Sequence, residues 1–423
     1  MPCINKGDWM DNLEDIKWSG YLRQDGKIGI RNKVLVMYTV ECAAFVAKEV
    51  VRRINNPEVE VVGFSGCTDN TYALNLLLAL IRHPNVGGVY VIGLGCEYLQ
   101  AEKLSQYAAE KGKFGSWLLI QNEGGTKKSI EKACENVEEI LEKLEDTKIV
   151  PMGFADLIVG AECGGSDYTS GLAGNVVVGR FFDFLVNQKG IAIFEEIVEA
   201  VGLKEMLVKR GISEEAREEL ASTYDKAMEY CKKVKQYSIS PGNFVGGLTT
   251  IEEKSMGALI KSGSQPIQGV LKVAEEVKNK GLWLLDSTPD PYFMDFGFTN
   301  PNDNEGLTDL VASGAQLLFL VTGRGNVVGS AISPVIKITG NNNTYSYMQE
   351  DMDFNAGDIL SGACTIEDSV FSLIKLVTQI CAGEKTKAEE LGHKEFFIPY
   401  KYQDDKKSKR ERCEGNVTRG VRA

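Results

Sequence analysis

The sequence predicts an α/β protein in which a doubly wound, parallel-sheet N-terminal domain is followed by a second α/β domain carrying a helical excursion. Two observations carry this prediction. Short runs of consecutive apolar residues alternate with amphipathic stretches of helical period, the pattern of parallel strands covered on both faces by helices. Several of those runs also end abruptly in glycine and small reactive residues, as strands do where they open into ligand-binding loops. At 423 residues the chain exceeds one ordinary core. The expected divisions are a leader (1–19), a Rossmann-like domain (20–150), a catalytic α/β domain (151–395, helical excursion 197–238) and a basic tail (396–423).

Taken in order, Asp25-Gly26 in GYLRQDGKIGIRN (20–32) marks a tight turn between two extended pieces. Strand KVLVMYTV (33–40) precedes helix AAFVAKEVVRRI (43–54), where Phe45, Val46, Val50 and Ile54 keep helical spacing. The pair recurs as VEVVGF (59–64) with ALNLLLALIRH (73–83), GGVYVIGL (87–94) with AEKLSQYAAEKG (101–112), and SWLLIQ (116–121) with TKKSIEKACENVEEILEKLE (126–145). The second region opens with a strand at 156–160, a glycine-rich loop, helix NVVVGRFFDFLVNQKG (175–190) and strand IAIFEE (191–196). Within the charged excursion, Ser213 ahead of two glutamates suits a helix N-cap. SPGNFVGGLTTIEEKSMG (240–257) reads as strand and loop, VLKVAEEVKNKG (270–281) as helix, and LWLLDS (282–287) as strand. Helix GLTDLVASG (306–314), strands QLLFLVTGRG (316–325) and PVIKITGN (334–341), and a last helix (365–383) complete the reading.

Composition narrows the function. Hydrophobic residues at 43%, charged residues at 25% and no apolar run near the roughly 20 residues of a bilayer span describe a soluble protein. The start MPCINKGDWMDNLED lacks the apolar core of a secretory signal, which points to the cytoplasm. A net charge of -12 argues against nucleic acid as a partner. Lys401 to Ala423, with eight Lys or Arg against four acidic residues, reads as a solvated tail. Ten cysteines without a CxxC pair read as reduced thiols rather than a disulfide framework.

The residues after each apolar run carry the chemistry: Glu41 and Cys42; Ser65, Gly66 and Cys67; Gly95, Cys96 and Glu97; Glu162 and Cys163. Any one cysteine is equally a small buried hydrophobe. Four at equivalent strand ends open a second reading, a shared thiol-rich site for iron, an iron-sulfur cluster or zinc. With only His83 and His393 in the chain, the sequence argues against a histidine-rich metal site, and His83 reads as a helix cap. Glu97, Glu162, Asp167 and Glu196 are candidate oxygen ligands or proton carriers. Lys254 and Arg324 are candidate carboxylate clamps beside the glycines at 242, 246 and 247, and both also fit solvated cations. Ser166, Asn243, Thr322, Arg324 and Lys337 complete the substrate-binding candidates; TGRG lacks the ending of a phosphate-binding P-loop.

The strings GYLRQDGKIGIRN, RHPNVGGVYVIGLGCE, GGTKKSI, AECGGSDYTSG, SPGNFVGGLTTIEEKSMG, TGRGNVVGSAISPVIKITGN and DFNAG, in this order, resemble the altronate and galactarate dehydratase family from about residue 20 to 380. The large subunit of sulfolactate sulfo-lyase is similar to the same family. The resemblance implies a lyase that removes water or sulfite from a 2-hydroxy acid, with iron as the metal. It also implies that a small β-rich, SAF-like module is either absent or supplied as a separate subunit, and it leaves a homo-oligomer open. Under it, Cys42, Cys67, Cys96 and Cys163 become candidate iron ligands, Glu97 or Lys254 the base, and Arg324 the holder of the substrate carboxylate. Ser166 and Asp167 would orient substrate, with Glu196 a further catalytic candidate. One departure stands out: GCTDNTYALN (66–75) replaces the family's GCSQ or GCGQ, which suits a shorter or differently charged substrate and keeps the sulfo-lyase reading open. A cluster-carrying redox protein and a non-catalytic subunit are the remaining alternatives.

Overall fold

The computed structural model describes residues 16–68, 70–234, 240–290 and 302–401. A hairpin of β1 (Trp18–Leu22) and β2 (Ile28–Gly29) turns at Asp25-Gly26, as expected. There follow β3 (Lys33–Tyr38), α1 (Glu41–Ile54), β4 (Val59–Gly63), α2 (Thr71–Arg82), β5 (Val86–Gly93), α3 (Ala101–Glu110), β6 (Phe114–Leu119) and α4 (Thr126–Glu145). These strands form a four-stranded sheet, entirely parallel, in the order β4-β3-β5-β6. Alternate residues of β3 supply its two faces: Val34 and Val36 pack toward α1 and α4, Leu35 and Met37 toward α2 and α3.

The chain then crosses through β7 (Ile149–Met152), which pairs antiparallel with β1, into β8 (Ile158–Cys163), α5 (Asn175–Asn187) and β9 (Ile191–Phe194). Helices α6 (Lys204–Lys209), α7 (Glu214–Val234), α8 (Pro241–Val245) and α9 (Ile251–Lys261) follow, with the Ser213 hydroxyl accepting from Ala216 N as the expected cap. Next come β10 (Ile267–Lys272), β11 (Gly281–Asp286), α10 (Asp303–Ala312), β12 (Leu317–Thr322), β13 (Val335–Thr339), α11 (Asn342–Tyr347), β14 (Phe354–Asn355), α12 (Ile366–Cys381) and α13 (Lys387–Leu391). The second sheet has seven parallel strands in the order β10-β11-β9-β8-β12-β13-β14. No helix among the described residues is long and apolar enough to cross a membrane.

Two expectations are corrected. The stretch 270–281 is not a helix: its first residues finish strand β10, paired in parallel with β11. Residues 241–245 are helical rather than strand or open loop, because Ser240 and Asn243 form a reciprocal N-cap around Pro241. Trp18, placed in the leader, sits in β1 with its ring edge-on to Phe154 at 5.2 Å. Ile398 and Lys401, placed in the basic tail, are buried; residues 402–423 lie outside the described residues.

The two sheets share one core. Helix α2 packs on the first sheet and against α10, which covers the facing side of the second sheet, while α5 and α12 cover its far side. At the amino ends of the strands a polar seam joins the halves. His83 Nε2 lies 3.1 Å from the carbonyl of Ala315, and its Nδ1 accepts from Asn85 N, which fixes the tautomer. Asn85 donates to Gln316 O and accepts from Ile30 N, and Gln316 in turn accepts from Ile158 N. His83 is therefore an inter-sheet bolt as well as the cap of α2.

Burial drives the His83 pKa from 6.5 down to about 3, with the cation of Lys113 acting in the same sense and the Ala315 hydrogen bond opposing it. A base whose pKa is depressed by folding stabilises the protein above its unfolded pKa, and that stability is lost as pH falls below about 6.5. His83→Gln removes the effect. The stability gap between wild type and H83Q, measured by urea unfolding, is expected to narrow by about 2 kcal/mol between pH 7 and pH 5. A gap independent of pH would contradict a buried neutral histidine.

Candidate active site

In the second sheet the chain winds one way from β8 through β9, β11 and β10, and the other way through β12, β13 and β14. The crevice at the carboxyl ends of β8 and β12 is thus a topological switch point, where open α/β sheets bind ligands. The loops leaving the two strands are zipped together there: Gly323 N and Arg324 N both donate to Gly165 O, at 3.2 and 3.0 Å. Gly165 has φ +68°, and this left-handed turn lets the loop double back. One turn of π-helix (Ser170–Gly174) then feeds α5, a distortion common beside functional sites.

Cys163, the last residue of β8, is the focus. Its amide donates to Glu196 Oε1 at 2.7 Å, its thiol faces Glu199 Oε2 at 3.7 Å, and the Ser166 hydroxyl donates to its sulfur at 3.2 Å. Ligand atoms of Cys163, Glu196 and Glu199 all lie within 4.8 Å of one another, the only group of three or more such residues among those described. Each carboxylate has its own cation: Lys261 pairs with Glu196, and Lys254 sits 2.8 Å from Glu199. Behind them Glu162 and Glu195, both buried, share a hydrogen bond; Glu195 also accepts from Ser287 at 2.6 Å, while Glu162 Oε2 has no partner. Gly306 makes room for this pair, since a Cβ there would run into the Glu162 carboxylate.

Burial, then the neighbouring carboxyl of Glu195, pushes the Glu162 pKa well above the usual carboxylate range. Burial and Glu199 push the Cys163 thiol up to about 12. For Lys254 burial works against the charge, but Glu199 and Cys163 outweigh it and raise the pKa, so the ammonium keeps its proton. A polar cavity of about 230 Å³ is lined by Glu162, Cys163, Glu195, Glu196, Glu199, Asp303 and Lys254. A second, more apolar cavity of about 400 Å³ adjoins it and shares Cys163, Ser166, Glu199 and Lys254.

Of the residues singled out in the sequence, Glu162, Cys163, Glu196, Ser166, Asn243 and Lys254 line the first cavity. Asn243 ties α8 over the loop by donating to Ser166 O at 2.8 Å. Asp167 lines the second cavity, yet its carboxylate is taken up by Thr169, Ser170 and Asn341 and serves to hold the loop. The Thr322 hydroxyl is similarly engaged with Gly165 O and Gly325 N. Arg324 is exposed, lines neither cavity and donates to Gly242 O, while buried Lys337 points to His393 at 3.2 Å.

The expected rim of four cysteines is not assembled. Cys42, in the first turn of α1, and Cys67 and Cys96, on loops at the first sheet's carboxyl end, are exposed and lie outside the Cys163 group. Nor is Glu97 a free base. Its carboxylate accepts from the amides of Leu94, Gly95 and Cys96 and from the Thr39 hydroxyl, which together hold its pKa below the usual range although burial pulls the other way. Glu195, Glu199, Lys261 and Asp303 were not singled out in the sequence. Two signals pointed to the first three, the acidic string FEEIVE directly after an apolar strand and a lysine on the buried stripe of α9; none pointed to Asp303.

Replacing Lys261 with methionine strands the buried Glu196 carboxylate. K261M is expected to lose about 3–5 kcal/mol of stability in denaturant titration, and the double variant E196M/K261M to recover most of it. A single variant as stable as wild type would show that the pair is not buried in solution.

Comparison with known proteins agrees with this architecture. Residues 154–403 match the family described as D-galactarate/Altronate dehydratase, C-terminal, and residues 20–145 match D-galactarate dehydratase/Altronate hydrolase, second domain. The chain is 30% identical over 408 residues to altronate dehydratase of Bacillus subtilis, covering 91% of this chain and 78% of that one. It is 31% identical over 399 residues to galactarate dehydratase (L-threo-forming) of Escherichia coli, covering 88% and 74%. It is 29% identical over 393 residues to (2R)-sulfolactate sulfo-lyase subunit beta of Chromohalobacter salexigens, covering 91% and 97%. The chain belongs to the D-galactarate/altronate dehydratase family.

Proposed function

We propose that the chain is a cytoplasmic, iron-dependent lyase that removes water from a 2-hydroxy acid of the sugar-acid class and leaves a 2-keto acid. The observation that supports this most directly is the junction of Cys163, Glu196, Glu199 and Lys254 on a polar cavity at the switch point, in a chain of this family. One thiol and two carboxylates fit a single divalent cation of borderline softness. They do not fit an iron-sulfur cluster, which draws on several thiolates where this group offers one. Cys163, Glu196 and Glu199 would hold the iron, which when bound supplies Lewis-acid polarisation of the substrate's carboxylate or hydroxyl.

The elimination needs a proton taken from the carbon alpha to the carboxylate while the beta hydroxyl leaves as water. In this reading charged Lys254, which borders both cavities, binds the substrate carboxylate. Glu162, which burial and the neighbouring Glu195 keep protonated, gives the departing beta hydroxyl its proton. Ser166 orients a substrate hydroxyl, and the enol that remains tautomerises to the keto acid. A second reading has a specific support: the match to the sulfo-lyase subunit spans 97% of its length. The same proton removal with sulfite as leaving group would serve it. Because that relative is named as a subunit, and the two dehydratases extend past the matched region, a small β-rich partner chain belongs to the proposal.

Anaerobic reconstitution with ferrous iron, followed by a screen of altronate, galactarate and sulfolactate with and without the small partner, tests the reaction. Formation of 2-keto acid supports the dehydratase and release of sulfite the alternative; silence on all three with iron bound would overturn both. Glu162→Gln is expected to lower kcat by about 10²–10⁴-fold with iron content unchanged.

Metal content gives an independent test. Cys163→Ala is expected to lose iron on gel filtration and Cys96→Ala to keep it. Wild-type iron in C163A would remove Cys163 from the ligand set.

A further inference from the structure

The last described residues of the chain return from α13 to the first sheet and close over the back of the cavity wall. The Tyr400 ring stacks on Phe64 at 6.1 Å, with its hydroxyl 2.7 Å from the Thr68 hydroxyl. Lys401 then turns inward. Its side chain is 6% exposed, and its ammonium lies 2.7 Å from Glu305 and 3.4 Å from Asp309, 5.0 Å above the Tyr72 ring. Tyr72 completes the set by donating to the other oxygen of Asp309 at 2.7 Å.

The place of these partners gives Lys401 its reach. Glu305 and Asp309 are four residues apart on α10 and share a face. Between them Gly306 lies against the Glu162 and Glu195 carboxyls, and Asp303, at the start of the same helix, lines the polar cavity. The first turns of α10 are thus a wall of the site, and Lys401 is the cation that neutralises the carboxylates behind it. Without that charge, two buried acidic groups on α10 repel one another and the Glu162–Glu195 pair a turn away.

We propose that Lys401 is a positioning residue for the active site: it locks α10 so that Asp303 and the Glu162–Glu195 pair keep their places in the cavity wall. A role in turnover rests on the function proposed above; the positioning itself does not. A short segment near the chain's end thereby becomes part of the site's architecture, supplied across the core shared by both sheets.

The test compares K401M, K401R and the double variant E305Q/K401M in the full chain loaded with iron. K401M is expected to lower kcat by about 10–100-fold with KM within about threefold of wild type, and K401R to restore kcat to within about fivefold. E305Q/K401M removes a charge with its partner, so it guards against simple misfolding; its kcat stays low while its melting temperature returns toward wild type. Wild-type kcat in K401M, or a kcat in E305Q/K401M that recovers together with its melting temperature, would overturn the proposal. A second readout needs no substrate. Alkylation of Cys163 by iodoacetamide, followed by mass spectrometry on the metal-free chain, is expected to quicken at least tenfold in K401M and not in K401R. An unchanged rate in K401M would count against positioning even if wild type turns over no acid tested, whereas a quickened rate with an inert wild type would sink only the functional reading.

Discussion

Helix α2 is buried on nearly every side, and the rest of the molecule is arranged around that constraint. From Tyr72 to Ile81 its residues are buried apart from Asn75, a composition with no stable place on a surface. Fully burying Leu76, Leu77, Leu80 and Ile81 contributes roughly 1.5–3 kcal/mol each. Together that rivals the net stability of a whole domain, about 5–15 kcal/mol. The first sheet can cover one side of α2 and only α10 with the second sheet can cover the other, so the halves share one core. From this follow the seam at the amino ends, where His83 and Asn85 meet Ala315 and Gln316, and the reach of Tyr72 to Asp309.

Charge inside that core has a different logic. Lys261 with Glu196, Lys401 with Glu305, and Lys226 and Lys272 with Asp286 are all ion pairs largely withdrawn from water. Well-packed apolar residues would be as stable or more so at such positions, because desolvation offsets most of the attraction. Stability alone gives little reason for so many charges at the carboxyl ends of β8, β9 and β11. Buried charge is also found at the amino ends, where Arg31 pairs with Glu389 and Lys33 with Glu60.

The alternation of strand and helix was legible in the sequence because parallel strands are buried on both faces and read as unbroken apolar runs. Where that signal weakens, the reading failed. Val270, Leu271 and Val273 continue into a charged stretch, and the whole imitates a helix, although the strand ends at Lys272 on a sheet edge. The site was legible in part: Cys163, Glu196, Ser166, Asn243 and Lys254 converge. Cys42, Cys67 and Cys96 do not join Cys163, because local sequence shows that a residue follows a strand, not how the carboxyl ends of two sheets are set relative to one another. Glu199 and Lys261 are contributed from a turn after β9 and from α9, positions whose meaning depends on packing that no spacing reveals.

The first sheet has its own switch point, between β3 and β5, and what occupies it sharpens the division of labour. There the backbone amides of residues 94 to 96, with Gly95 at φ +128°, form a nest of the kind that binds phosphate or carboxylate ligands. The chain fills it with its own Glu97. A fixed carboxylate with four donors is a stronger competitor than a free anion, since it loses no translational freedom on binding. It also leaves a negative end that disfavours a second anion nearby. The first sheet therefore keeps the shape of a nucleotide-binding fold with its anion site closed from within. The corresponding crevice of the second sheet is lined instead by Lys254 and the group around Cys163.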